Sequence, residues 1–340
     1  TYLPDFPEKS HTITLRTALA HTAGLYDYSN NDDFEAVWLE NHTLDEIFNW
    51  FVPMPLEFAP ETNWRYSNSG YALATKIIET TTGQNFETAI KQLLLDPAGM
   101  RNTHVQGVMN DYLPLDYDGE HGAVKQVQDF GIIGRGDGAL HATVDDMLKW
   151  YLALRNNRLM KAETKEIAYA DHTLKNGAKT GYGLGFMLGH FGGDKSYEHG
   201  GSRLGSHSYT IMVPAQDLFV VIVSNVRDGK IGTTAANIAK TALGIDGKRP
   251  PAVTLPPVTM QALAGQYKHG ENDIRTITFK NGTLYSRRGE NSHEYKLVAM
   301  ADNRFYFDDE PEVQLLFDAS GLLRVQYRTG MDNIAQRLLE

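Results

Sequence analysis

Gly247-Lys248-Arg249-Pro250-Pro251, followed closely by Pro256-Pro257, is the stretch that most limits how this chain can fold. Clustered prolines remove backbone donors and fix φ, so neither a helix nor a strand runs through them. The patterns on the two sides differ. Before the break, apolar residues recur at helical spacing in 32–39, 44–51, 70–80, 86–94, 144–154 and 231–243. Residues 182–188, 206–213 and 218–224 read as strands, the last two joined by a Pro214-Ala215-Gln216-Asp217 turn. After the break come short runs rich in Tyr, Phe, Val and Ile: 263–267, 275–279, 283–287, 295–298, 304–307, 313–317 and 322–327. Turn signals such as Lys280-Asn281-Gly282 and Asp318-Ala319-Ser320-Gly321 separate them, which suits hairpins closing into a small barrel. The expectation is an α/β (α+β) domain over residues 1–247 and an all-β barrel domain over 258–340, in keeping with the usual ~100–200 residues per domain.

Composition excludes several function classes. The formal charge is −10, and no lysine or arginine cluster is long enough to track a phosphate backbone, which argues against nucleic acid as a partner. No apolar run approaches the roughly 18 residues that span a bilayer. The absence of cysteine removes disulfides, thiolate nucleophiles and cysteine-ligated metals. The twelve histidines show no helical ligand spacing, so no metal and no cofactor is expected.

Tyr66-Ser67-Asn68, at the mouth of the helix that starts near Ser69, carries the sharpest chemical signal. A phenol relays protons near neutrality only when cations and hydrogen bonds favour its phenolate, and an asparagine can hold both a donor and an acceptor. Taken alone, Tyr66 could be a buried structural tyrosine and Asn68 a helix cap. Read with His21-Thr22-Ala23-Gly24-Leu25, Gly138-Ala139-Leu140, Thr143-Val144-Asp145-Asp146 and His199-Gly200-Gly201-Ser202, the string resembles the penicillin-recognising serine hydrolases. That group includes class C β-lactamases, D-aminopeptidases and related esterases. The resemblance runs from about Tyr2 to about Asn225. The β segment after the proline break resembles the lipocalin-like appendage of some members.

The resemblance implies a β-lactamase-like antiparallel sheet flanked by helices, with a helical subdomain. It implies an acyl-enzyme on a small ester, amide or D-amino-acid-containing peptide. Tyr66 would relay the proton, Asn68 and His199 would position substrate, Gly200 and Gly201 would admit it against the backbone, and the Ser202 N–H would help form an oxyanion hole. Catalytic roles thus fall on Tyr66 and His199, and substrate contacts on Asn68, Gly200, Gly201 and Ser202. The family's nucleophile lies in Ser-x-x-Lys, and no serine here has a lysine three residues later. Tyr2-Leu3-Pro4-Asp5 resembles the segment that follows that helix, so the expectation is that the nucleophile segment lies upstream, or arrives as a separate chain, and that this chain alone is inactive. The family favours the periplasm or secretion.

Where many relatives carry Lys-Thr-Gly, this chain has His199-Gly200-Gly201. An unperturbed histidine is mostly neutral at pH 7, which disfavours a substrate carboxylate and favours neutral or amine-bearing esters and amides. Lys179-Thr180-Gly181 spells the motif literally, but the strand, proline turn and apolar strand that follow it in the family come after Gly201, so Lys179 reads as a solvated turn lysine. His21 reads as a structural histidine and Thr1 as part of a surface connection. Two rival functions remain: an inactive binding or sensor protein that keeps the cleft, and a β-lactamase proper.

Overall fold

The computed structural model describes all residues except 1, 5, 8, 31–41, 106–114, 119–123, 128–134, 204, 228–229, 246–248, 269–273, 290–292, 312, 319–320, 327–331 and 339–340. The helix expected over 32–39 lies outside the described residues. The chain divides into two compact units, Thr1–Leu243 and Gly244–Glu340.

In the first unit, helix Leu44–Phe51 begins at a capping box: the Glu46 N–H donates to the Thr43 hydroxyl at 3.2 Å and the Thr43 N–H to the Glu46 carboxylate at 2.7 Å. It buries Leu44, Ile47 and Phe51, one face at i, i+3 and i+7. Helix Ser69–Thr82 ends at Gly83, whose φ of 67° is the left-handed C-terminal stop. The first turn of its buried face is small (Ser69, Gly70, Ala72) because helix Leu15–Leu19 comes very close: a Cβ on Gly70 would sit 2.6 Å from the Ala18 carbonyl oxygen. That contact seats the segment carrying Tyr66 and Asn68. Helix Val144–Arg155 explains the Thr143–Asp146 string structurally. Thr143 caps it, and the fully buried Asp146 carboxylate accepts from Asn102 N, Thr103 Oγ1 and Lys149 Nζ at 2.7, 2.9 and 2.5 Å.

Short strands β1 (His104–Val105), β2 (Asp116–Asp118), β3 (Lys125–Val127) and β4 (Leu140–His141) form minor pairings, β1 with β4 and β2 with β3. The principal sheet is antiparallel, in the order β5 (Met187–Phe191), β6 (Asp194–Ser202), β7 (His207–Val213), β8 (Leu218–Ser224). The strand expected over 182–188 starts later, at Met187, with Tyr182 joined to Met187 only by an isolated bridge. Register pairs Glu198 with Ile211, His199 with Thr210 and Gly200 with Tyr209. Thr210, Val221 and Val223 therefore share the face of His199, while Glu198, Tyr209 and Ile211 share the other. A further strand, β9 (Val226–Arg227), pairs with β2.

The second unit is a closed barrel of eight antiparallel strands, β10 (Gly265–Lys268), β11 (Ile274–Lys280), β12 (Thr283–Arg288), β13 (Tyr295–Ala299), β14 (Arg304–Phe307), β15 (Gln314–Phe317), β16 (Leu322–Gln326) and β17 (Asp332–Arg337). Asn281 and Gly282, with φ of 49° and 76°, turn the β11–β12 hairpin as the Asn-Gly signal requires. Two elements differ from the sequence expectation. Residues 257–263 form a helix, Pro257–Leu263, with proline at its start, where pyrrolidine suits the first turn. Strand β17, too polar to read from pattern, closes the barrel by pairing with β10 and β16. The interior is filled by Tyr267, Ile277, Leu284, Leu297, Phe305, Leu315, Phe317, Leu323 and Val325. Among the described residues, no helix is long and apolar enough to cross a membrane.

Candidate active site

Tyr66 and His199 come together from the approach to helix Ser69–Thr82 and from β6, with ring centroids 6.3 Å apart. Tyr66 is 41% exposed, open on one side. Its other side lies against His21, centroid to centroid 4.2 Å. Burial of that side, with the Asp137 and Asp27 carboxylates, pushes the phenol up to about 12. Among the described residues no lysine or arginine counters this shift. The hydroxyl of Tyr66 is therefore a protonated donor in this chain.

His21 organises the floor. It holds a left-handed φ of 58° and is 2% exposed. Its Nδ1 accepts the Ser67 N–H at 3.1 Å, and burial lowers its pKa to about 3. The neutral ring packs against Tyr66, Tyr71 and Tyr182 at 4.2, 5.3 and 4.8 Å, an aromatic cluster that fixes the Tyr66 backbone through Ser67.

Asn68 stands at the N-cap position of helix Ser69–Thr82 but makes no side-chain cap bond. Its Nδ2 donates instead to the Asp27 carboxylate at 3.3 and 3.4 Å and to Ser29 Oγ at 3.3 Å. Because a carboxylate only accepts, this pairing leaves the Asn68 carbonyl oxygen as the group free of the Asp27 contact. Asp27 is 5% exposed, and burial raises its pKa against the bonds from Ser29 and Asn68. Behind it, Asp137 accepts from the Tyr28 hydroxyl; burial pushes its carboxyl up to about 7, with that bond opposing.

His199 is engaged at both nitrogens, by Tyr182 Oη at 2.9 Å and by the Gly200 carbonyl at 2.7 Å. The two glycines after it answer first to the neighbouring strand. A Cβ on Gly200 would meet the Tyr209 ring at 3.1 Å, and one on Gly201 would meet Ser208 Oγ at 2.6 Å. Ser202 ends β6, exposed, its hydroxyl 2.9 Å from His207 Nε2. Lys179 lies outside the principal sheet, bridged to Thr173 and bonded to its hydroxyl at 2.5 Å. Sequence reasoning missed Asp27, Asp137, Tyr71 and Tyr182. The Asp27-Tyr28 pair after Gly24-Leu25 and the acid in Gly136-Asp137-Gly138 were the available signals. Among the described residues, no group of three or more His, Asp or Glu side chains could hold a metal ion.

Residues 1–243 match the family described as Beta-lactamase. Penicillin-binding protein 4* of Bacillus subtilis is 29% identical over 227 residues, 61% of this chain and 48% of that protein. A D-aminopeptidase of Brucella ovis is 25% identical over 213 residues, 62% of this chain and 39% of that one. The chain thus spans about half or less of the length of these curated relatives. Among solved structures, a D-stereospecific amidohydrolase from Streptomyces has a TM-score of 0.58 at 24% identity, over 66% of this chain and 72% of its own. The octameric penicillin-binding protein homologue from Pyrococcus abyssi has a TM-score of 0.61 at 17% identity, over 95% and 78%. Those two likenesses speak to fold alone. With its family match covering the whole first compact unit, the chain belongs to the Beta-lactamase family.

Proposed function

We propose that this chain is the larger part of a serine hydrolase that works through an acyl-enzyme on a small ester, amide or D-amino-acid-containing peptide, with a Ser-x-x-Lys segment completing the site. The approach of Tyr66 to His199, 6.3 Å between centroids from distant parts of the chain, carries the reading. In it Tyr66 passes the proton, Asn68 and His199 position substrate, Gly200 and Gly201 flank it, and the Ser202 N–H meets the oxyanion. The state of Tyr66 supports a missing cation. A phenol held near 12 by burial and two carboxylates accepts no proton at neutral pH, and a lysine ammonium beside it would oppose that bias. Among the described residues β8 is an edge strand of the principal sheet, and Val223, on the His199 face, is 50% exposed, which leaves room for a further element there. Relatives named D-aminopeptidase support a D-configured acyl donor.

Intact mass after treatment with a fluorophosphonate or a penicillin tests this. The 340-residue chain is expected to take up no acyl group, whereas a longer protein carrying a Ser-x-x-Lys segment becomes acylated. In that protein Tyr66→Phe slows acylation by the ~10²–10⁴-fold typical of a lost acid–base group. One acyl group on the 340-residue chain would overturn the reading and make Thr1 and Ser67 the first residues to examine.

A further inference from the structure

Both nitrogens of His199 are taken by the protein, and the chemistry of the partners fixes the proton. The Gly200 carbonyl, 2.7 Å from Nδ1, can only accept, so Nδ1 carries hydrogen. Burial disfavours the imidazolium, so the ring is neutral and Nε2 holds a lone pair. The Tyr182 hydroxyl, 2.9 Å away, is then the donor to Nε2. Tyr182 is 1% exposed and burial drives its phenol far above the ordinary range, so it does not lose that proton. Behind it, Tyr71 is hydrogen-bonded to Tyr182 and lies 2.9 Å from the Leu19 carbonyl; with the Tyr182 proton on His199, the Tyr71 hydroxyl is the donor in both contacts. As a donor, Tyr71 leaves the Tyr182 proton to His199.

We propose that Tyr182 is a positioning residue for His199: it locks the ring as the neutral Nδ1–H tautomer with both nitrogens engaged, so the cleft wall beside Tyr66 presents an uncharged edge with no partner for a substrate carboxylate. The consequence for substrate rests on the hydrolase reading above. Acyl donors without a carboxylate beside the scissile bond fit this wall; those with one would bring a charge into a neutral, partly desolvated site. The lock comes from a residue just before β5 acting on one in β6, joined by a side-chain contact that no motif spells.

Long-range proton–nitrogen correlation spectra of the 340-residue chain at neutral pH read the tautomer directly, with His199→Gln identifying the resonance among the twelve histidines. Wild type is expected to show Nδ1 protonated and Nε2 as the acceptor, opposite to the form free histidine prefers. Tyr182→Phe is expected to bring in the Nε2–H form, and Tyr71→Phe to leave the tautomer unchanged. A wild-type Nε2–H ring, which needs no variant to observe, overturns the proposal. So does a folded Tyr182→Phe protein with an unaltered His199 signal, or a Tyr71→Phe protein with the same tautomer change as Tyr182→Phe. In the longer, Ser-x-x-Lys-bearing protein, acyl donors differing only in carboxylate against carboxamide are expected to differ at least tenfold in kcat/KM, in favour of the carboxamide. Preference for the carboxylate overturns the wall described here. If that protein acylates with no donor at all, the hydrolase reading fails while the tautomer result stands.

Discussion

Asp137 and His21 are both displaced by burial, in directions that pull stability opposite ways with pH. An aspartate in the unfolded chain titrates near ~3.9, whereas Asp137 is held at about 7. Between those values the folded state binds more protons than the unfolded one, so this group's contribution to stability falls as pH rises through the interval. His21, held at about 3 against ~6.5 unfolded, does the reverse: its contribution grows as pH rises through that range and is complete above it. Asp137→Asn keeps an acceptor for the Tyr28 hydroxyl and removes the charge. Thermal melts from about pH 4 to about pH 8 should therefore show the variant gaining on wild type as pH rises; a constant difference would refute the displaced titration. These residues also mark how far the sequence could be read. Tyr66, Asn68 and His199 stand in strings that announce their chemistry. Asp137 matters because it meets Tyr28, and Tyr182 because it meets His199, and neither meeting leaves a local trace. Asn68 shows a halfway case: taken alone it would read as a helix cap, yet its amide is spent on Asp27.

At the scale of elements, two glycines of one helix separate packing from propensity. Alanine is preferred over glycine inside a helix by roughly 1 kcal/mol, so Gly70→Ala would stabilise an isolated helix. Here the added methyl meets the Ala18 carbonyl oxygen at 2.6 Å, a backbone atom that cannot swing away. The substitution should instead destabilise the fold by about 1–3 kcal/mol, the usual range for overpacking. Gly83→Ala has open space but a φ of 67°, and should lose about 1–2 kcal/mol through strain alone. Urea midpoints of both variants decide this, and a stabilised Gly70→Ala would mean the two helices separate easily. The same reasoning explains which elements were legible. Helices at 44–51 and 144–155 carry strong caps, strand β8 carries a continuous apolar run and β7 ends in Ile-Met-Val, so their patterns survive in the sequence. Strand β17, Asp-Asn-Ile-Ala-Gln-Arg, has no such run; its place is set by the open edges of β10 and β16 waiting for a partner.

The molecule as a whole raises the question of where one folding unit stops. The proline-rich stretch reads as a free joint, yet much of it is tied to the barrel: Val253 N donates to the Ala299 carbonyl at 2.9 Å, Leu255 packs on the barrel core, and Arg249 pairs with Asp308 at 2.5 Å. Prolines 250, 251 and 256 thus belong, by contact, to the second unit, which begins at Gly244. Few contacts cross a domain boundary, so first cleavage is expected next to Gly244, where the second unit begins, rather than within the tied stretch 250–257. The released piece should stay folded. Among the described residues its eight strands pair with one another around a closed ring, and its apolar core is built from residues of this unit. Expressed alone from Gly244, it should therefore unfold in a single cooperative transition and retain its β-sheet circular dichroism. The full chain should then show that transition unchanged when Gly70→Ala weakens the first unit. A barrel fragment that is unfolded in isolation, or a barrel transition that shifts with Gly70→Ala, would mean the two units fold as one.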